Sequence, residues 1–179
     1  DALKERTKEI QVGPGLDSES QMGPVVSEIQ MNKVLDYIEI GKKEGATLLV
    51  GGNRIVDNGL ENGYFIEPTI FVDTKPDMRI VQEEIFGPVM SVIPFRTDDE
   101  ALEIANSTEY GLGSSVWTES LAAAHKYADE LKAGVVWVNK HLILPPEMPF
   151  GGVGNSGFGR ENGMDFVYEY TEAKSILFG

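Results

Sequence analysis

A chain of 179 residues with 41% hydrophobic and 25% charged residues can bury one sizeable core, which argues against an intrinsically disordered segment. Its formal net charge of −14, from 29 acidic against 15 basic residues with no Lys/Arg cluster, argues against nucleic acid or an anionic membrane surface as partner. No cysteine is present, so disulfides, thiolate nucleophiles and Cys-type zinc sites are excluded within these residues, and His125 and His141 are not spaced as a metal pair.

In chain order, the polar start at residues 1–10 lacks the apolar core of a signal peptide, and no later run approaches the ~20 apolar residues of a membrane span. The expected location is cytoplasmic. Ser27 with Gln30 forms a capping-box pattern that opens an amphipathic helix over residues 27–46, with Ile29, Val34, Ile38 and Ile40 at helical spacing and Gly45 as its stop. A short buried strand is predicted at residues 47–50, bounded by Gly51 and Gly52, and further strands at 69–72 and 89–95.

Thr97 with Glu100 repeats the capping box and opens a helix over 98–109. A strand at 113–117, a helix at 119–132 ending by Gly134, and a strongly β-prone strand at 135–139 follow. Strands alternating with helices predict an α/β fold, a mainly parallel sheet flanked by helices, in one compact domain. Residues 142–159 form a Pro/Gly-rich loop, expected to be ordered by Met148, Phe150 and Phe158. The tail reads as a short helix and then a strand at 173–178.

Gly152, Gly154 and Gly157 match the G-x-G-x-x-G spacing of a dinucleotide fingerprint. That fingerprint needs a strand running straight into the first glycine, whereas Pro145, Pro146 and Pro149 precede it here. A glycine-rich structural turn is the expectation.

Taken together, EEIFGPV (83–89), YGLGSSVW, GVVWVN, MPFGG, SGFGREN and YTEAKS resemble, in this order, the C-terminal part of the NAD(P)-dependent aldehyde dehydrogenases. The resemblance covers essentially the whole chain. It implies the later part of the catalytic domain over residues 1–160 and a tail with an oligomerisation strand over 161–179. In that family a cysteine thiolate adds to the aldehyde, hydride passes to the nicotinamide and a Glu base assists thioester hydrolysis. The resemblance puts nucleophile and base outside these residues, so the chain alone is expected to be an inactive fragment.

By the same resemblance Glu84 and Phe86 contact the nicotinamide end of NAD or NADP. An ionised carboxylate is acceptor-only, so Glu84 can take both ribose hydroxyls, and Phe86, two residues on in extended chain, is expected on the same side, with Glu83 facing away. Leu142, Ile143, Leu144 and Phe150 are implied as a wall of the aldehyde tunnel, where apolar groups favour an uncharged small-molecule aldehyde. Glu147, in the same loop, either faces the tunnel or is solvated. Glu161 is implied on a proton path, and Arg160 is expected to pair with Glu172. The terminal strand implies a homodimer or homotetramer, and no metal is expected. The alternative is a non-catalytic binding or assembly module that retains half of the fold.

Overall fold

A first helix, α1 (Ala2–Lys8), precedes the longest, α2 (Glu28–Lys43). Ser27 caps α2 as its sequence requires: its backbone is extended and its side chain accepts a hydrogen bond from Gln30 N at 3.2 Å. The reciprocal half of the box does not form. Gln30 instead sends its side chain to residues 85 and 86. The chain leaves the helix through Gly45, at φ +91°.

The computed structural model describes all of residues 1–179, and the chain divides into two units, Asp1–Phe95 and Arg96–Gly179. In the first unit, strands β1 (Thr47–Val50), β2 (Thr69–Val72) and β3 (Val89–Ser91) form one sheet in that order, β1 antiparallel and β3 parallel to β2. Helix α3 (Arg79–Gln82) is a single turn before β3. The buried stripe of α2 is Met31, Val34, Ile38 and Gly41, at spacings of three and four residues, and it packs with Ile66, Phe71, Ile80 and Ile85. Each fully buried side chain of this kind contributes about 2 kcal/mol. Ile29, expected on that stripe, is 83% exposed, because it lies two residues before Met31 and so about 200° around the helix from it.

The second unit holds α4 (Asp98–Ala105), β4 (Tyr110–Gly111), β5 (Gly113–Val116), α5 (Leu121–Glu130), β6 (Val135–Val138), β7 (Val153–Gly154) and α6 (Phe166–Glu169). Strands β5 and β6 pair in parallel through the α5 crossover, and β4 pairs antiparallel with β7. Helix α5 stops at Glu130, before Gly134, because Asn106 intervenes. Its Nδ2 donates to Glu130 O at 2.9 Å and its Oδ1 accepts from Lys132 N at 2.8 Å.

The fold is α/β, with parallel ladders at β2–β3 and β5–β6 standing beside two antiparallel ones. The single compact domain expected from length divides into two units, and the strand predicted over 89–95 ends at Ser91, short of Pro94, which carries no backbone donor. The predicted terminal strand at 173–178 pairs with nothing in this chain, and Leu177 and Phe178 are exposed. The glycine-rich stretch forms the β7 turn, in which Ser156 N donates to Val153 O and Gly157 N to Gly154 O; the next helix starts only at Phe166. No helix is long and apolar enough to cross a membrane.

Candidate functional site

Helix α3 gives way to extended chain at Glu83 (φ −107°, ψ 147°), whose backbone N–H still donates to Arg79 O. The Glu83 carboxylate is held from two sides. Arg79 donates from Nε to Oε1 at 2.7 Å and from Nη2 to Oε2 at 2.8 Å, and Tyr37 donates its hydroxyl to Oε2 at 2.5 Å. The Arg79 guanidinium also stands 5.5 Å from the Tyr37 ring centroid.

The Arg79 fork, followed by the Tyr37 hydroxyl, lowers the Glu83 pKa from 4.5 to about 2. The same carboxylate raises the Tyr37 pKa. A group depressed in the folded state adds stability above its unfolded pKa and loses it as pH falls through the folded value. Because the Arg79 and Glu83 side chains are 51% and 40% exposed, solvent screening leaves only a small part of that shift in the stability, so acid unfolding between about pH 4.5 and about pH 2 is expected to flatten only slightly in Glu83→Gln, read as net proton uptake on unfolding from urea midpoints across that range. An unchanged acid limb would show that the fork is not maintained in solution.

Glu84 differs from its neighbour in every respect that bears on binding. Its side chain is exposed and its carboxylate has no hydrogen-bond partner, while its backbone carbonyl accepts from Lys33 Nζ at 2.8 Å. Ile85 is buried in the core, and Gln30 Nε2 donates to the carbonyls of Ile85 at 2.9 Å and Phe86 at 3.0 Å. Phe86 is 71% exposed and sits at φ +56°. The simple alternation expected from Glu84 to Phe86 thus fails at Phe86, where the backbone turns left-handed, a conformation that costs a non-glycine residue about 1–3 kcal/mol. Glu84 and Phe86 nevertheless flank the buried Ile85 and are both open to solvent. An unpartnered, acceptor-only carboxylate can take a vicinal diol, and an open ring can pack against a flat heterocycle.

In the second unit the loop leaves β6 through two left-handed residues, Asn139 (φ +53°) and Leu142 (φ +57°). Asn139 exchanges two hydrogen bonds with the Thr118 backbone, each 2.9 Å, and Trp137 Nε1 donates to Ile143 O at 2.7 Å. Ser115 Oγ lies 2.6 Å from His141 Nδ1. This frame presents Leu142 and Ile143 to solvent, with Leu144 half-buried behind them; Glu147 is exposed.

Phe150 and Glu161 exchange two backbone hydrogen bonds of 2.7 Å. A cavity of about 340 Å³ brings Phe150, Arg160 and Glu161 together with Phe166 and Tyr170, and the Leu142–Ile143–Leu144 run is not part of it. Phe158, expected as a loop anchor, is fully exposed. The expected Arg160–Glu172 pair does not form. Arg160 Nη1 donates instead to the carbonyls of Gly152 at 2.9 Å and Gly159 at 2.7 Å, while Glu172 stands exposed on a tail that no ladder holds. Residues of this site that the sequence does not single out are Lys33, Tyr37 and Arg79, and Gln30 is singled out only as half of a capping box. Their signal was present as a polar stripe at positions i, i+3 and i+7 of α2 and an i, i+4 Arg–Glu pair.

The family described as the Aldehyde dehydrogenase family matches residues 1–176. A betaine aldehyde dehydrogenase of Brucella anthropi is 49% identical over 174 residues, which is 97% of this chain and 36% of that protein. A betaine aldehyde dehydrogenase of Rhizobium leguminosarum bv. trifolii is 48% identical over 177 residues, 99% of this chain and 36% of that one. Among solved structures, the betaine aldehyde dehydrogenase of Staphylococcus aureus in complex with NAD+ superposes with a TM-score of 0.92 at 43% identity, over 94% of this chain and 34% of that chain. A variant of the Bacillus cereus aldehyde dehydrogenase gives a TM-score of 0.92 at 46% identity, over 98% and 35%. The chain spans about a third of the length of these relatives.

Proposed function

The chain belongs to the aldehyde dehydrogenase family, and from that premise we propose that the protein it represents oxidises an aldehyde to a carboxylic acid with NAD(P)+, this chain supplying the clamp on the nicotinamide ribose. The observation that carries the proposal is the free Glu84 carboxylate two residues before the exposed Phe86 ring, on a segment whose carbonyls are held by Gln30 and Lys33.

The bound nicotinamide supplies the hydride acceptor. What the chain does around it follows from its own groups. Glu84 accepts hydrogen bonds from the ribose hydroxyls and so fixes the orientation of the sugar, while Phe86 gives the ring an apolar surface. A nucleophilic thiolate would lie outside residues 1–179, since these hold no cysteine, and residues 1–179 alone are expected to be inactive. The motif order supports reading residues 1–160 as the C-terminal part of the catalytic domain. The exposed apolar tail, Ile176 to Phe178, supports assembly into a homodimer or homotetramer through residues 161–179. The exposure of Glu161 supports a role for it at the solvent end of a proton path.

For the substrate, Leu142 and Ile143 at the start of the loop favour an uncharged aliphatic or aromatic aldehyde, because an apolar wall offers a cation no partner. The identity of 48–49% to betaine aldehyde dehydrogenases favours the second reading, a quaternary-ammonium aldehyde. NAD+ reduction by the complete protein, with an uncharged aliphatic aldehyde against betaine aldehyde, separates them. We expect kcat/KM to favour the uncharged substrate by about tenfold or more, and residues 1–179 alone to give no turnover. A preference for betaine aldehyde would establish the second reading.

A further inference from the structure

The geometry points to Glu83 as a positioning residue for the cofactor clamp: held by Arg79 and Tyr37, it orients Glu84 without touching the cofactor itself. The inference rests on the reading of Glu84 as the ribose ligand. Glu83 is the last residue tied to α3, through its N–H to Arg79 O, and the first with extended backbone, so its torsions set the direction in which Glu84 leaves the helix.

Three side chains of one α2 face reach this segment, at spacings of three and four residues. Gln30 and Lys33 hold main-chain carbonyls on the far side of Glu84 and at Glu84 itself, and Tyr37 holds the Glu83 side chain. Arg79 closes the fourth side with a two-pronged fork, which fixes the carboxylate plane as well as its position.

Folding stability does not account for this arrangement. The Arg79 and Glu83 side chains are 51% and 40% exposed, and an ion pair that open adds little to the folded state. Its geometric effect is larger, because both carboxylate oxygens are engaged and the backbone that follows carries the clamp. Gln at position 83 would keep one acceptor oxygen and turn an amide N–H group toward the Arg79 donors, so the fork could not close.

The test is calorimetric binding of NAD+ to the complete protein, with thermal melting in parallel. Glu83→Gln is expected to raise the NAD+ Kd about tenfold and Tyr37→Phe about threefold, each with Tm within about 2 °C of the parent. Arg79→Lys, which keeps the charge but loses the fork, is expected to resemble Glu83→Gln. In a Glu84→Gln background, Glu83→Gln is expected to change Kd no further, since there is no clamp left to orient. An unchanged Kd in Glu83→Gln, or a full additive loss in the double variant, would overturn the positioning role. If Glu84→Gln alone left Kd unaltered, the ribose clamp itself would fall and this role with it.

Discussion

Glu84→Ala in the complete protein is expected to raise the NAD+ Kd, and to lower kcat/KM for NAD+, by about 100-fold. Two charge-assisted hydrogen bonds to a diol are each worth about 1.5–3 kcal/mol net, and a total of about 3 kcal/mol corresponds to a little over two decades. The loss would not come from unfolding. Glu84 is exposed and its carboxylate bonds to nothing in the chain, while the contacts that shape the segment run through the carbonyls of residues 84–86, which the substitution leaves intact. Tm should therefore stay near the parent value as affinity falls. Glu84→Asp keeps the charge on a shorter arm and is expected to lie between the two. An unaltered NAD+ Kd in Glu84→Ala would reduce Glu84 to a solvated residue ahead of a strand and remove the observation on which the proposed function rests.

Residues that report on local backbone preference were readable from sequence. Ser27 and Thr97 cap their helices through the N–H groups of Gln30 and Glu100, and residues 47–50, 69–72 and 135–138 are strands where short β-prone runs predicted them. Errors arose where a distant side chain competes with the local signal. Gln30 has the right spacing to complete a capping box, yet the two carbonyls at residues 85 and 86 offer it better partners than its own helix. Helix α5 has no stop signal at Glu130, and its end is set by Asn106, more than twenty residues upstream.

The same division runs through the candidate site. EEIFGP marks Glu84 and Phe86, but the opposite fates of two adjacent glutamates depend on Arg79, one helical turn before Glu83, and on Tyr37, which no local pattern connects to them. Arg160 was expected to seek a carboxylate and found two carbonyls of a glycine-rich turn, whose bare backbone admits a guanidinium. The tail strand differs for another reason: a strand is defined by its ladder, and residues 173–178 have none within a single chain.

Gly134→Ala is expected to destabilise the protein by about 3 kcal/mol, seen as a lower urea midpoint with little change in m. An added Cβ would stand 1.6 Å from Gly151 O and 2.8 Å from its carbonyl carbon, a clash of backbone with backbone that no rotamer change relieves. Neither side can yield without losing other bonds. Gly134 N donates to Gly111 O at the start of β6, while the chain around Gly151 is fixed by the Phe150–Glu161 bridge and by Arg160 on Gly152 O. Gly15→Ala is the matched control, because its Cβ would meet nothing within 4 Å, and lower chain entropy in the unfolded state should leave it neutral or slightly more stable. If the loop gives way instead of the strand, the loss of stability should shrink to about 1 kcal/mol while the aldehyde KM of the complete protein rises, since the displaced loop carries Leu142, Ile143 and Phe150. Gly134→Ala as stable as Gly15→Ala, with aldehyde KM unchanged, would mean that the loop is not seated on β6 and that its apolar residues have no fixed place from which to select a substrate.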